Sequence, residues 1–270
     1  MMLLKQFLTK IVTLMTIFTL VLLPELVAQT KIDSSKIVRV LSFNIYHGET
    51  MKGDFNLDVI ANVIKSVNPD LVALQEVDFN TDRAKNMDLP VELALRTGLT
   101  PLFGKAMQFN GGEYGEGVLS RYSFTSTKNN ALLAQIDKEP RSALEVNVEI
   151  QSGDTIRFVG THLDHTENET DRINQAKQIN EHYSKDDIPT ILAGDLNALP
   201  ESKTMQIFYK EWVKSFSKNV STFPSSIPNR KIDYILFRPA KRWRVLETKV
   251  ICDKIASDHC AVLSVLELQD

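Results

Sequence analysis

The sequence predicts a mixed α/β layered domain, and three observations carry that prediction. Strand-like and helix-like apolar patterns alternate from about residue 37 to about residue 268. Two segment pairs, 144–163 and 243–268, read as antiparallel hairpins, the first around a Ser152-Gly153-Asp154 turn. Composition is that of a globular chain, with 43% apolar and 24% charged residues and only 11 Gly and 10 Pro in 270, which excludes disordered and collagen-like readings. Alternating strands and helices call for packed layers. The hairpins argue against an all-parallel doubly wound sheet, because they need antiparallel neighbours. The length suits one large domain or two small ones, and no internal repeat, low-complexity tract or linker divides the region after the leader.

The first segment differs from the rest. Lys5 and Lys10 precede an almost unbroken apolar run from Ile11 to Leu23, then Pro24-Glu25 and Leu26-Val27-Ala28-Gln29. A charged start, an apolar middle and a small residue before a polar one predict a signal peptide over 1–28, cut after Ala28, leaving 29–270 as the mature domain of an exported, periplasmic or secreted protein. The run is short of the roughly 20 residues of a spanning helix; the alternative is an uncleaved N-terminal anchor. No Cys sits near the cut, which argues against a lipoprotein.

The formal net charge is −3, and loss of Lys5, Lys10 and Glu25 with the leader makes it more acidic. That is unfavourable for sequence-independent nucleic-acid binding, which depends on neutralising phosphates. Lys241-Arg242-Trp243-Arg244 is the one basic cluster and reads as a solvated strand end. Cys252 and Cys260 flank the last hairpin and could pair in an oxidising compartment. The reading preferred from sequence is two separate small core residues. Scarce cysteine and no long apolar patch suggest a monomer.

The elements follow in order. Ile37 to Ile45 is a β-rich run that carries Asn44 near its end. Leu57, Ile60, Ala61 and Ile64 mark a helix over 57–67, capped by Asn56 and broken by Asn68-Pro69-Asp70. Leu71 to Leu74 is a short strand that delivers Gln75-Glu76. Pro90 to Arg96 is helical and ends at Gly98. Gly117 to Ser120 is a strand, and the preceding Gly111-to-Gly117 stretch reads as a tight turn at a cleft rim. Leu144, Val146, Val148 and Ile150 alternate with polar residues as a strand with one wet face, followed by Ile156 to Leu163. Thr166 with Glu169 forms a capping-box pattern before a helix carrying Ile173, Ala176, Ile179 and Tyr183. Pro189 to Ala193 is a buried strand and 202–213 a helix. Ile232 to Phe237, Trp243 to Ile251 and His259 to Leu268 complete the strands.

Polar residues gather at the ends of these apolar strands, where a sheet presents side chains to a cleft. They are Asn44, Glu76, His162, Asp195 with Asn197, Asp233, and Asp258 with His259. Each alone has an ordinary structural reading, since a strand-end Asp or Asn is usually a turn former. In Asp195-Leu196-Asn197, positions i and i+2 of an extended segment point the same way, and Gly194 removes a side chain from the approach.

The order of the short motifs is more specific. Ser42-Phe43-Asn44-Ile45, Leu74-Gln75-Glu76-Val77, Gly115-Glu116-Gly117-Val118-Leu119-Ser120-Arg121, Thr161-His162-Leu163, Gly194-Asp195-Leu196-Asn197, Ile232-Asp233-Tyr234 and Ser257-Asp258-His259 follow one another. This series resembles the endonuclease/exonuclease/phosphatase superfamily, the DNase-I-like fold, over about residues 37–268. The resemblance implies an α/β (α+β) four-layer sandwich, two packed mixed sheets flanked by helices, that hydrolyses phosphate esters with Mg²⁺ or Mn²⁺. It further implies that Glu76 is the principal metal carboxylate, with Asn44 beside it and Asp258 contributing. His259, oriented by Asp233, would activate the attacking water; Asp195 and Asn197 would position that water and the phosphate. His162 would contact a phosphoryl oxygen or protonate the leaving group. These roles agree with the preference of hard cations for a few oxygen ligands and with the use of a His–Asp pair as a general base.

Tyr114, Arg83, Arg141 and His165 are further substrate candidates: a guanidinium fork suits a phosphate or carboxylate, and His165 could back His162. Arg172 reads as a surface ion pair on its helix. Tyr46-His47-Gly48 departs from the apurinic-site nucleases of the superfamily, which tend to carry an acidic or amide residue two places after the first Asn. Thr161-His162-Leu163 is more similar to the branch with DNase I, sphingomyelinases and inositol-phosphate phosphatases. Asn44-Ile45-Tyr46-His47-Gly48 with Thr161-His162-Leu163-Asp164-His165 also resembles exported bacterial members and the hydrolase-like domain of proteins that remodel glycosylphosphatidylinositol lipids. The expected substrate is a small or lipid-linked phosphoester. An extracellular nuclease and a catalytically inactive binding module of the same fold are the alternatives.

Overall fold

The computed structural model describes residues 32–135 and 138–270; the expected leader over 1–28 lies outside them. Its strands are β1 (Ile37–Asn44), β2 (Leu71–Phe79), β3 (Thr100–Phe109), β4 (Gly112–Ser120), β5 (Phe124–Leu132), β6 (Arg141–Glu149), β7 (Thr155–His162), β8 (Thr190–Asp195), β9 (Val213–Lys214), β10 (Asp233–Arg238), β11 (Trp243–Ile251) and β12 (Ala261–Leu268). The helices are α1 (Leu57–Ser66), α2 (Leu89–Thr97), α3 (Thr170–Tyr183) and α4 (Lys203–Phe208). Two six-stranded sheets form, in the orders β11-β12-β1-β2-β4-β3 and β5-β6-β7-β8-β10-β9.

Three apolar clusters stack these elements into four layers. Between the sheets, Val38, Val40, Leu71, Ala73 and Val118 meet Val146, Phe158, Ile191, Ala193, Ile235 and Phe237. On the outer face of the first sheet, Ile60, Ile64, Leu89 and Leu93 of α1 and α2 pack on Leu41, Phe43, Val72 and Leu74. On the outer face of the second, Ala176, Ile179, Met205 and Phe208 of α3 and α4 pack on Val159, Leu192 and Leu236. Central strands buried on both faces lose the polar alternation of half-wet strands, which is why β1, β2 and β8 read as continuous apolar runs. This is the four-layer sandwich that the family resemblance implies.

Each sheet holds one parallel pair at its centre, β1 with β2 and β7 with β8, among antiparallel neighbours. Asn44 and His162 are the last residues of β1 and β7, and Asp195 the last of β8. Asp233 opens β10, directly opposite Asp195 in the antiparallel ladder. β12 runs antiparallel to β1, so the segment just before it, with Asp258 and His259, returns to the same end. Topology alone therefore gathers these tips.

Several local expectations are corrected. Strands β3 and β5 lie at sheet edges, where Pro101 and a polar, largely exposed 124–132 are tolerated, so neither carries the pattern of a buried strand. The glycine-rich stretch is strand from Gly112 onward; the turn is Asn110-Gly111, at φ 45° and 83°. A Cβ at Gly115 would lie 2.0 Å from the Gly104 carbonyl oxygen, so this glycine permits close strand approach. The Thr166–Glu169 capping box does not form: Thr166 bonds to Asp164, and Asn168 Oδ1 accepts from the Thr170 amide at 2.9 Å. The helix expected over 202–213 stops at Phe208, and the chain turns to pair β9 with β10. Arg172 is buried, its guanidinium donating to the Asp164 carbonyl at 2.9 Å. Cys252 and Cys260 are joined by a disulfide rather than packed separately. Its position at the mouth of the β11–β12 hairpin closes the loop that carries Asp258 and His259.

Candidate active site

Glu76 reaches the cleft through a local irregularity. The β2–β4 register shifts between Leu74 and Val77, and Glu76 adopts φ 56°. A bulge of this kind re-aims a side chain, and a left-handed backbone at a non-glycine residue persists only where its surroundings hold it. Asn44 Nδ2 donates to Glu76 Oε1 at 3.0 Å, and His47 Nδ1 lies 3.7 Å from Oε2. Tyr46 and His47 also lie at positive φ, and the Tyr46 amide donates to Asn44 Oδ1 at 3.1 Å. Burial alone would raise the Glu76 pKa; His47 and Asn44 beside its oxygens, with the charge of His259 adding, outweigh it and hold the carboxyl at about 2.

Asp195 stands at the centre. Its Oδ1 accepts from the Asn197 amide at 2.9 Å. Its Oδ2 lies 3.3 Å from Asn44 Nδ2, 3.5 Å from His162 Nε2 and 3.6 Å from His259 Nε2. Burial pushes the Asp195 carboxyl up to about 7 against the pull of His259, with Asp233 and Glu76 adding repulsion. His259 Nδ1 contacts Asp233 at 3.0 Å, and Phe223 packs on the ring at 4.7 Å between centroids. Burial would lower the His259 pKa, but Asp233, Asp195 and Asp258 together raise it to about 10. Ser257 Oγ ties the loop down, donating to the Asn44 carbonyl at 2.7 Å while accepting from the His259 amide at 3.1 Å.

Gly194 explains how closely β7 and β8 run here. A Cβ at this position would meet the Thr161 carbonyl oxygen at 1.9 Å. Gly194→Ala is expected to destabilise the fold by about 3 kcal/mol or more, since backbone must move to admit the methyl group. Urea denaturation measures it; an unchanged midpoint would show that the strands separate freely.

A cleft of about 360 Å³ opens over these groups. Glu76, His162, Asp195, Asn197, Asp258 and His259 line it, with Arg83, Tyr114, Arg141 and His165 on its walls. Asn44 and Asp233 lie behind, bonded to the lining residues. All twelve residues singled out in the sequence therefore meet at one site. Arg83 donates twice to buried Asp78, at 2.6 and 2.8 Å, and its guanidinium stacks 4.5 Å over Phe109. Arg141 is buried against His162, His165 and Glu139.

Sequence reasoning missed His47, Asp78, Phe223 and Glu116. His47 and Asp78 each lie within three residues of a quoted motif residue, but nothing in the pattern separates them from turn formers. Glu116 sits inside a quoted motif; burial raises its carboxyl well above the usual range, with Arg141 opposing. Phe223 arrives from a loop without any signature.

Lys231, next to the Asp233 strand, is buried with its ammonium 4.6 Å over Phe216 and bonded to the Asp233 carbonyl. Burial lowers its pKa from 10.5 to about 8, partly offset by Asp233. The unfolded chain then binds more protons than the folded one between those values, so wild-type stability should rise as pH goes from about 8 to 10.5, by on the order of 3 kcal/mol relative to Lys231→Met. Denaturant titrations of both proteins across this window check it; a constant difference would refute the shift.

The donor set suits a hard divalent cation. Glu76 is ionised and Asp258 lines the same cleft, both offering oxygen, which such a cation needs in only one or two carboxylates besides water. The tightest convergence of acidic and imidazole atoms among the described residues, within 4.8 Å, is instead Asp195, Asp233 and His259. There Asp233 is engaged with His259 Nδ1, which suits proton handling rather than an ion cradle.

The sequence model described as the Endonuclease/Exonuclease/phosphatase family matches residues 41–259. A protein of that description from Beutenbergia cavernae superposes with a TM-score of 0.73 at 23% identity, over 86% of this chain and 72% of that one. One from Bacteroides thetaiotaomicron gives 0.73 at 19%, over 87% and 98%. A mannosyl-6-phosphatase from Bacteroides thetaiotaomicron gives 0.70 at 18%, over 86% and 100%. At these identities the neighbours establish the fold.

Proposed function

This chain belongs to the endonuclease/exonuclease/phosphatase family, and from that premise we propose that it is an exported, divalent-metal-dependent hydrolase of compact phosphoesters. The observation that carries the reading is the meeting of Glu76, Asp195 and two differently partnered histidines in one cleft.

Glu76 and Asp258, with Asn44 alongside, would hold Mg²⁺ or Mn²⁺, which when bound would draw charge from a phosphoryl oxygen as the transition state develops. Against burial, Asp233, Asp195 and Asp258 keep the free His259 ring protonated, with a pKa of about 10, and the ring would lose that proton more readily with a cation held by Glu76 and Asp258. The neutral ring would then take the proton of the attacking water, with Asp233 fixing its tautomer and stabilising the imidazolium that results. Asp195 and Asn197 orient the water and the phosphate, and His162 contacts a phosphoryl oxygen. Phe109, Tyr114 and Phe223 give the cleft apolar walls.

A 360 Å³ cleft supports a small organic phosphate, or the headgroup of a lipid-linked one, as substrate. The name of the mannosyl-6-phosphatase neighbour supports the monoester form. The net charge of −3 speaks against nucleic acid. Export is supported by the 1–28 pattern and by the Cys252–Cys260 disulfide, which persists in oxidising compartments.

The test is a screen of sugar phosphates, phospholipid headgroup release and plasmid nicking, each with Mg²⁺ and with EDTA. Metal-dependent release from a small or lipid-linked ester is expected. Plasmid nicking alone would favour a nuclease, and tight phosphate binding without turnover a binding module.

A further inference from the structure

Two histidines flank the Asp195 carboxylate at nearly equal distance, His162 at 3.5 Å and His259 at 3.6 Å, yet their other nitrogens meet opposite partners. His259 Nδ1 faces the Asp233 carboxylate. His162 Nδ1 faces Arg141 Nη1 at 2.9 Å, with both side chains buried. We propose that Arg141 is a positioning residue that locks His162 as the neutral tautomer with hydrogen on Nε2, so that His162 donates a hydrogen bond to a phosphoryl oxygen and does not protonate the leaving group. This rests on the hydrolase reading of the cleft and assigns one of the two histidines beside Asp195 a single role.

A guanidinium has only donors and keeps its charge at any pH the fold survives. A nitrogen that it approaches at 2.9 Å must therefore offer a lone pair. Arg141 Nη2 makes the same demand on His165 Nδ1 at 3.1 Å, and Glu139 anchors Nη1 from the other side at 3.1 Å. With Nδ1 of His162 committed as acceptor, the ring's hydrogen sits on Nε2.

A second donor, Asn197 Nδ2, lies 3.0 Å from that Nε2. A neutral imidazole has one lone pair, so one of these two contacts is not a hydrogen bond. Asn197 Nδ2 already donates to the Leu163 carbonyl at 3.1 Å, whereas buried Arg141 has a charge to satisfy and an Nε without any partner. Charge-assisted bonds are about twice as strong as neutral ones, which gives the lone pair to Arg141. The Nε2 hydrogen then has Asp195 Oδ2 in range only at 3.5 Å, longer than a normal hydrogen bond, and remains available to an oxygen entering the cleft.

Protonating this ring would need a second hydrogen on Nδ1, pointed at the guanidinium. Asp195 and Glu76 face the ring and attract such a proton; burial and the Arg141 charge oppose it, and the opposition wins. An acid catalyst must carry the proton it gives away, so the buried, arginine-partnered ring is fit to donate a bond but not a proton.

The full chain with ¹⁵N-labelled histidine, assigned with His162→Gln, tests the lock by long-range ¹⁵N–¹H imidazole spectra from pH 5 to 9. His162 should show a pyridine-like Nδ1 and a pyrrole-like Nε2 throughout. Arg141→Met should populate the other tautomer or titrate within the range, and Arg141→Lys, which keeps a donor, should restore the wild-type pattern. A pyrrole-like Nδ1 in the wild type, a wild-type titration near neutral pH, or a tautomer unchanged by Arg141→Met overturns the proposal. The kinetic readout is leaving-group dependence. His162→Ala should lose about 10²–10³-fold in kcat, as for a lost oxyanion donor, equally for alkyl and nitrophenyl phosphates. A loss confined to the alkyl ester identifies His162 as the acid and overturns the proposal. Should no phosphoester turn over, the function fails while the spectra still decide the tautomer.

Discussion

His259→Ala is expected to lower kcat by about 10²–10⁴-fold, the range that a positioned general base contributes, and to leave the protein folded. Of the two imidazoles beside Asp195, His259 is the one whose second nitrogen meets a carboxylate, Asp233 at 3.0 Å. That pairing keeps Nε2 aimed at the cleft beside Asp195 and stabilises the charge the ring gains on taking a proton. Asp233→Asn should fall in the same direction, because an amide can present its NH₂ to Nδ1 and reverse the tautomer. Circular dichroism and denaturant midpoints separate loss of chemistry from loss of fold. Removing the ring leaves Asp195 and Asp233 buried together, so some destabilisation is expected, relieved by protonating one of them. Near-wild-type turnover by purified, folded His259→Ala would remove the base from the proposed mechanism.

Glu76→Gln is expected to abolish the response to Mg²⁺ and reduce activity to that of wild type in EDTA. The substitution keeps shape and removes only charge. Glu76 is the carboxylate held ionised at about 2, whereas burial and the neighbouring Glu76 charge raise the Asp258 pKa. A cation that needs few protein ligands therefore depends most on Glu76. Asp258→Asn should weaken Mg²⁺ binding less. Calorimetric titration of Mg²⁺ into each variant checks the order without any substrate. Wild-type Mg²⁺ affinity in Glu76→Gln would place the ion elsewhere, with the convergent Asp195, Asp233 and His259 the next group to mutate.

The fold class was legible because buried strands and amphipathic helices leave periodic apolar patterns. It was least legible at the sheet edges. β3, with Pro101 and Gly104, and the polar β5 each pair on one side only, so neither needs the composition of a central strand. The site was legible in its residue types, because each strand tip carries a carboxylate, amide or imidazole that its apolar strand does not need. The disulfide was not, since a separation of eight residues fits two packed cysteines as well as a bond.

By itself, the sequence determined the mixed α/β layering, the family resemblance and the polar residues at the strand ends, because local periodicity and short ordered motifs survive in one dimension. Tertiary structure alone decided which partner each of those residues has. Asp233 meets His259, Arg141 meets His162, and Asn44 holds Glu76 across a bulge, through contacts between residues 21 to 32 positions apart. The charge and proton position of an imidazole depend on what faces its second nitrogen, and only the folded chain brings that neighbour into place.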